Sequence, residues 1–380
     1  MTDEMMHGHL VGRKGGRREL NTPVLVVDFD ALERNILRMA QWATKRGLVL
    51  RPHVKTHKSA EIARLQQKAG AIGFCCAKLG EAEALVDNGI SDGLLLTSPV
   101  TSAPAVRRLI ELNRRTNGLM CVVDNPDNVK ALGEAALSSR KPLQVLIDVD
   151  PGIHRTGVIS AEAAVRLFHE ISSQDALVYK GVQFYCGREQ HFEEYAARRA
   201  AIQQKTEYLQ AVIKALKQAG GAPPIVTGGG TGTHRIDAEL GILTELQVGS
   251  YIFMDSQYAA CDITDGKEPP YEFALMVDAR VISANSPGMR TIDAGYKALA
   301  TDGGIPQVLT GMPPETEYVF MGDEHGALIS TAEPAPGIGE RVVLTAPHCD
   351  PTVNLYDFYH VVRGDTLVAI WRVDARGRSR

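Results

Sequence analysis

No C-x-x-C spacing occurs among the six cysteines of this 380-residue chain. Zinc ribbons and thioredoxin-type redox sites depend on that spacing and are excluded. Six cysteines in 380 residues are also too few for a disulfide-built fold, and they read as reduced, mostly buried thiols. Neither sign of charge is in excess: 41 Lys and Arg against 45 Asp and Glu leave −4, which argues against nucleic-acid binding. Long apolar runs are missing too. Val24–Val27 is typical of their length, far below the roughly 18 residues of a membrane span. The first twenty residues lack the apolar core of a signal peptide. They carry His7, His9, Arg13, Lys14, Arg17 and Arg18 among glycines, and predict a polar, mobile extension. What remains is the expectation of a soluble, cytoplasmic protein.

Of the residues present, 44% are hydrophobic and 23% charged, enough to bury a full core. From Thr22 to Gly249, short apolar runs alternate with helical patterns. A helix is predicted after Val24–Val27, with Asp30 and Glu33 at capping-box spacing and an apolar stripe of Leu32, Ile36, Met39 and Ala43. A second should start at Ser59. Further strands are expected at Leu48–Leu50, Ile72–Cys76, Gly93–Thr97, Leu119–Val123, Leu143–Val149, Val178–Tyr185, Ile225–Thr227 and Glu245–Val248. Apolar strands alternating with amphipathic helices argue for a parallel sheet covered by helices. With the first run there are nine candidates, one more than an eight-stranded barrel uses; the extra is either the first, lent to another domain, or a ninth short strand. After Ser256 the texture turns to strands broken by Gly- and Pro-rich turns, at Phe273–Ser283, Thr291–Asp293, Tyr318–Met321, Arg341–Leu344 and Thr366–Val373. The predicted division is an extension over 1–20, an α/β barrel over 21–258 and a β-rich domain over 259–380.

Three segments carry chemistry. Arg51-Pro52-His53-Val54-Lys55-Thr56-His57-Lys58 follows an apolar strand, which in a barrel places it at the C-terminal rim. A lysine there can have its pKa lowered by burial and neighbouring cations, as Schiff-base formation needs. Lys55 is favoured; Lys58, just before the N-cap Ser59, is expected to be solvated. The alternative is a basic rim loop whose histidines bond to backbone. Pro52 makes the run extended, which disfavours a zinc site on His53 and His57. Thr227-Gly228-Gly229-Gly230-Thr231-Gly232-Thr233 follows another strand and can wrap amides around a phosphate, although it is neither a P-loop nor G-x-G-x-x-G. Gly249-Ser250-Tyr251 could complete that cup. In Pro347-His348-Cys349-Asp350-Pro351, His348 and Asp350 would project to one side of an extended chain, with Cys349 facing away. Imidazole and carboxylate suit a divalent ion whose shell water or substrate must complete.

Together and in order, these segments resemble the D-threonine aldolase family, pyridoxal phosphate enzymes of fold type III related to alanine racemase and D-serine dehydratase. Asp148-Val149-Asp150, Gly249 to Ser256, Asp293-Ala294-Gly295 and Asp323-Glu324-His325-Gly326 extend the resemblance over nearly the whole chain. It implies an eight-stranded TIM-type α/β barrel with a β-rich C-terminal domain and pyridoxal 5'-phosphate at the barrel mouth. Lys55 matches the lysine that binds the cofactor. Gly228, Gly229, Gly230, Thr231, Gly232, Ser250 and Tyr251 match the phosphate region. Arg155 and Tyr185 match cofactor neighbours, His348 and Asp350 the metal pair, and His191 a proposed base. Ala77 and Cys186 depart from the family, where glutamine and histidine are common. The implied reaction cleaves a D-3-hydroxy amino acid such as D-threonine to glycine and an aldehyde, with manganese the expected ion and magnesium, cobalt or zinc alternatives. A homodimer is expected. The runner-up is a D-serine or D-3-hydroxyaspartate dehydratase, in which cysteine is expected at position 350. A metal-dependent barrel hydrolase explains the histidines but not the Lys55 segment.

Overall fold

The computed structural model describes residues 2–267, 271–313, 315–332 and 334–380. Nine strands occupy the first two thirds: β1 (Val24–Asp28), β2 (Val49–Leu50), β3 (Phe74–Cys76), β4 (Leu94–Leu96), β5 (Met120–Val123), β6 (Leu143–Val149), β7 (Leu177–Phe184), β8 (Ile225–Gly228) and β9 (Glu245–Leu246). Each falls on one of the nine runs read from the sequence. β2 to β9 form one parallel eight-stranded sheet in the order β2-β9-β8-β7-β6-β5-β4-β3. Its two ends meet, because the Ile72 N–H donates to the Leu50 C=O at 2.9 Å and the Cys75 N–H to the Pro52 C=O at 2.8 Å. Strands covered on both faces need continuous apolar sequence, and β3, β4 and β5 are buried throughout. The buried Arg51 guanidinium links β2 to β9 with two bonds to the Glu245 carboxylate, at 2.8 and 2.9 Å.

β1 is the strand lent elsewhere. It pairs antiparallel with β10 (Leu275–Ser283) and parallel with β16 (Phe358–Arg363) in a second, nine-stranded sheet. That sheet also contains β11 (Met289–Ile292), β12 (Val308–Thr310), β13 (Glu317–Phe320), β14 (Gly326–Ile329), β15 (Arg341–Thr345) and β17 (Thr366–Arg372). β12, β14 and β16 were not expected. The first two are only three and four residues long, and β16 reaches β17 through a tight turn at Gly364-Asp365.

The N-terminal extension is not the mobile segment its polarity suggests. His7, Leu10, Arg17 and Leu20 are buried, and Leu10 and Leu20 complete an apolar cluster with Val24, Val26, Met276, Val343, Val362 and Leu367. Arg17 bonds the Asp278 carboxylate at 2.8 and 2.7 Å, a partner 261 residues away that composition cannot reveal. The helix Phe29–Thr44 buries the expected stripe, but it is capped by Asp28, whose carboxylate accepts the Ala31 N–H at 3.0 Å. Asp30 instead pairs with Arg363 at 2.8 Å. No helix among the described residues is long and apolar enough to cross a membrane.

Candidate active site

Parallel strands of one barrel all end at the same rim, so residues far apart in sequence converge there. Lys55 follows β2, Ala77 follows β3, Thr97 follows β4, Arg155 follows β6, Tyr185 follows β7 and Gln247 follows β9. All six line one cavity of about 440 Å³. Beneath it runs a buried amide network. Gln183 Nε2 donates to Asp148 Oδ1 at 2.9 Å, and Gln247 Nε2 donates to Gln183 Oε1 at 3.2 Å and to Thr227 Oγ1 at 3.0 Å. Unbonded amides there would cost about 1–3 kcal/mol each, so this floor is fixed.

Lys55 sits in the one-turn 3-10 helix Val54–Thr56. Its ammonium is paired with the Asp350 carboxylate, and its side chain keeps 39% of its surface accessible. The expected lowering of its pKa is reversed. Burial does work in that direction, but Asp350 outweighs it and holds the ammonium above its ordinary range. Burial likewise works to raise the Asp350 carboxyl, but Lys55 and His348 hold it well below the usual carboxylate range. Lys58 is not solvated either. It is buried, with positive φ (51°), and its ammonium bonds Asn354 Oδ1 at 2.9 Å and faces Glu81 at 3.7 Å. The helix Ala60–Lys68 does start after Ser59, yet its first N–H is bonded by Asp374 Oδ2 at 2.8 Å and not by the serine hydroxyl.

The histidines of this segment part company. His53 Nε2 lies 3.2 Å from Thr97 Oγ1, whereas His57 Nδ1 accepts the Ser59 N–H at 3.2 Å. Burial, with the Lys55 charge adding, pushes the His53 pKa down to about 3. A flat, neutral imidazole therefore stands beside Lys55.

His348 and Asp350 are not on an extended chain. His348 is the N-cap of a short helix, Cys349–Val353, that points Asp350 at Lys55. His348 Nδ1 is bonded to Asp302 Oδ2 at 2.7 Å, leaving Nε2 for another partner. Cys349 does not face away as an extended chain would have it: on the helix its buried thiol donates to Asp350 Oδ1 at 3.5 Å, while Asp255 accepts its N–H at 2.9 Å. His191 ends the 3-10 turn Glu189–His191 and packs on the Tyr258 ring at 4.6 Å. Burial and then the fields of His348 and Lys55 lower its pKa to about 4, so it is a neutral base at pH 7.

Arg155 is delivered by a loop wound around one carboxylate. Asp150 accepts N–H bonds from Gly152 and Ile153 at 2.8 and 2.9 Å and from His154 at 3.1 Å. The Arg155 guanidinium stands 5.8 Å from the Tyr185 ring centre. The glycine loop is less open than expected. A Cβ at Gly232 would meet the Gln190 backbone oxygen at 2.1 Å, so packing alone demands that glycine, while one at Gly230 would meet the Gln190 side-chain amide at 2.5 Å. The Gly232 amide bonds Gln190 Oε1 at 3.0 Å, and Thr231 Oγ1 accepts the Tyr251 N–H at 3.0 Å. The Tyr251 hydroxyl is turned away, accepting from Gln66 at 3.1 Å. Thus Lys55, Arg155 and Tyr185 share the cavity, and His348, Asp350 and His191 cluster around Lys55. Gly228 to Gly232, Ser250 and Tyr251 stand at the neighbouring ends of β8 and β9 without lining it.

Asp302 and Asp255 were missed by sequence reasoning. Asp302-Gly303-Gly304 reads as a surface turn, and nothing in it announces a bond to His348 forty-six residues on. The cavity wall carries Lys55, Arg155 and Arg188 and no carboxylate. A lysine amine, two guanidinium groups and room for a small ring suit an anionic aromatic aldehyde.

Fold and site together define an alanine racemase-like pyridoxal phosphate enzyme. Residues 27–257 match the family described as alanine racemase, N-terminal domain, and residues 274–362 match the putative serine dehydratase domain. The chain is 35% identical to 3-hydroxy-D-aspartate aldolase of Paracoccus denitrificans (strain Pd 1222), over 95% of this chain and 93% of the relative. It is 35% identical to D-threonine aldolase of Arthrobacter sp, over 95% and 94%. The crystal structure of D-threonine aldolase from Filomicrobium marinum superposes with a TM-score of 0.92 at 36% identity, over 96% of this chain and 98% of that one. The chain therefore belongs to the alanine racemase-like family, and within it is a carbon–carbon lyase of the D-threonine aldolase type.

Proposed function

We propose that this enzyme cleaves D-3-hydroxy amino acids to glycine and an aldehyde, using pyridoxal 5'-phosphate and a divalent metal ion. One observation carries the reading: the carboxylate of the metal-type pair, Asp350, is the ion-pair partner of the cofactor lysine, Lys55. Cleavage between C2 and C3 needs control of the C2 amine and the C3 hydroxyl together, and these two residues put both controls at one point.

In this reading Lys55 holds the cofactor. Arg155 and Tyr185 would stand beside it on the cavity wall, and Gly228, Gly229, Gly230, Thr231 and Gly232, with Ser250 and Tyr251, at the adjoining ends of β8 and β9, would hold its phosphate. When bound, the cofactor supplies an electron sink for the bond that breaks. His348 and Asp350 hold the ion, with manganese preferred and magnesium, cobalt or zinc as alternatives, and a bound ion lowers the pKa of a coordinated hydroxyl. Asp302 holds His348 Nδ1, so Nε2 would be the nitrogen left to hold the ion, as carboxylates behind metal-binding histidines arrange. Neutral His191 accepts the proton of the 3-hydroxyl. Residues 21–258 serve the cofactor and 259–380 bring the metal pair, and the enzyme works as a cytoplasmic homodimer.

A dehydratase reading also draws on the second domain match. It is disfavoured by aspartate at 350, a hard oxygen ligand that suits manganese better than a thiolate would. Incubation with D-threonine, D-3-hydroxyaspartate and D-serine, with and without chelator, separates the two. Aldehyde plus glycine, lost on chelation, is the expected outcome; keto acid plus ammonia without glycine would reverse the choice.

A further inference from the structure

Arg188 lines the same cavity, and the reaction described above gives it no task. Of the other two cations on the wall, Lys55 is paired with Asp350 and Arg155 lies over the Tyr185 ring. Arg188 is exposed and has no ion pair, hydrogen bond or ring partner among the described residues. Its backbone (φ −67°, ψ −40°) begins the 3-10 turn that ends at His191. Side chains three apart on such a turn eclipse, so Arg188 and His191 leave the chain on the same side.

That placement has a chemical meaning. The carbon whose hydroxyl gives its proton to His191 is the carbon that carries the substrate's side group. Whatever reads the side group must stand beside His191, and Arg188 is on His191's own turn. A methyl group has no use for a guanidinium, whereas a carboxylate pairs with one through two parallel N–H···O bonds. We propose that Arg188 binds a carboxylate on C3, so that the preferred substrates are D-3-hydroxy dicarboxylic amino acids, D-3-hydroxyaspartate being the smallest. The inference rests on the aldolase reading. The 3-hydroxyl loses its proton, a C3=O bond forms, and the C2–C3 bond breaks with its electron pair kept on C2, which is then protonated. The products are glycine and the two-carbon oxo acid glyoxylate, with no net oxidation or reduction.

The test uses the manganese-loaded holoenzyme, and compares kcat/KM for D-3-hydroxyaspartate and D-threonine in wild type, Arg188→Met and Arg188→Lys. Wild type should favour D-3-hydroxyaspartate. In Arg188→Met the ratio of the two kcat/KM values should fall by about 100-fold, mostly through KM, the scale of a charge-assisted bidentate contact. Arg188→Lys should restore part of the ratio. An equal loss on both substrates would assign Arg188 to the carboxylate on C2, and loss of the cofactor's visible absorbance would assign it to the phosphate; either overturns the proposal, as does an unchanged ratio. If wild type cleaves D-threonine but not D-3-hydroxyaspartate, only this inference fails. If it cleaves neither, the aldolase reading itself fails.

Discussion

Two lysines three residues apart show how a side chain's neighbours decide its role. Lys55 opens into the cavity, while Lys58 is buried between Asn354 and Glu81. Lys55→Ala should abolish the visible absorbance of bound cofactor. Lys58→Ala should keep the chromophore but lose about 3 kcal/mol of stability in a urea titration, because buried Glu81 loses its cation and keeps only the Ala77 and Lys78 N–H bonds. A Lys58 variant without chromophore would reverse the assignment. Asp350→Cys replaces a hard oxygen with a soft thiolate. It should lose most manganese-supported cleavage, regain some in zinc, and form more pyruvate from D-serine relative to aldehyde from D-threonine. Unchanged manganese activity would move the metal site towards His191 and His325. Lys55, His348 and Asp350 were legible because each sits in an unusual run of residue types. The burial of Lys58 and the part played by Asp302 were not, since both depend on partners that local sequence does not name.

The N-terminal segment is held by a relay of two imidazoles. The Asn21 N–H donates to His7 Nε2 at 3.0 Å, and His7 Nδ1 lies 2.8 Å from His360 Nε2 on β16. These contacts require both rings to be neutral, with the shared proton on His7. Burial pushes the His7 pKa down and that of His360 to about 4, with the neighbouring His7 adding to the latter. A histidine whose pKa is lower folded than unfolded stabilises the fold fully above the unfolded value of about 6.5, and less as pH falls. Between about pH 6.5 and 4 the segment should loosen, read as faster proteolytic cleavage within residues 2–20, and His7→Phe should flatten that dependence. Equal cleavage rates at pH 7 and 4.5 would show that the pair carries no such linkage. The elements themselves were legible where helical patterns mark off apolar runs, as with the helix Phe29–Thr44 and the run of β2 to β9, even though β2 and β9 have only two residues each. Those missed lie after Ser256, where no helical pattern separates one strand from the next: β12, β14, and β16, which the tight turn at Gly364-Asp365 joins to β17.

At the scale of the whole molecule, the second sheet grips the segment that carries Lys55. The Tyr359 hydroxyl donates to the His57 C=O at 2.6 Å, the Ala375 N–H to the Lys58 C=O at 3.0 Å, and Asp374 caps the next helix. The same sheet is completed at its other side by the N-terminal residues. Deleting residues 2–20 should expose the Val24, Val343 and Leu367 side of the small core and leave the Asp278 carboxylate without Arg17. Loss of the buried Leu10 and Leu20 side chains alone should cost about 4 kcal/mol. Thermal unfolding would register this as a clear drop in Tm, and an unchanged Tm would mean that these contacts are not made in solution.

The sequence alone determined the alternation of strands and helices, the turn to strands after Ser256, and the unusual runs in which Lys55, His348 and Asp350 stand. Periodicity, turn residues and rare residue clusters are local properties, and they need no knowledge of what lies opposite. Only the tertiary structure decided that β1 leaves the barrel for the second sheet, and that Asp350 meets Lys55 across 295 residues of chain. It also decided that the lysine's charge is held up where burial alone would push it down. Each of these is a pairing between distant residues, and a charge or a strand edge acquires its energy from the partner that folding brings to it.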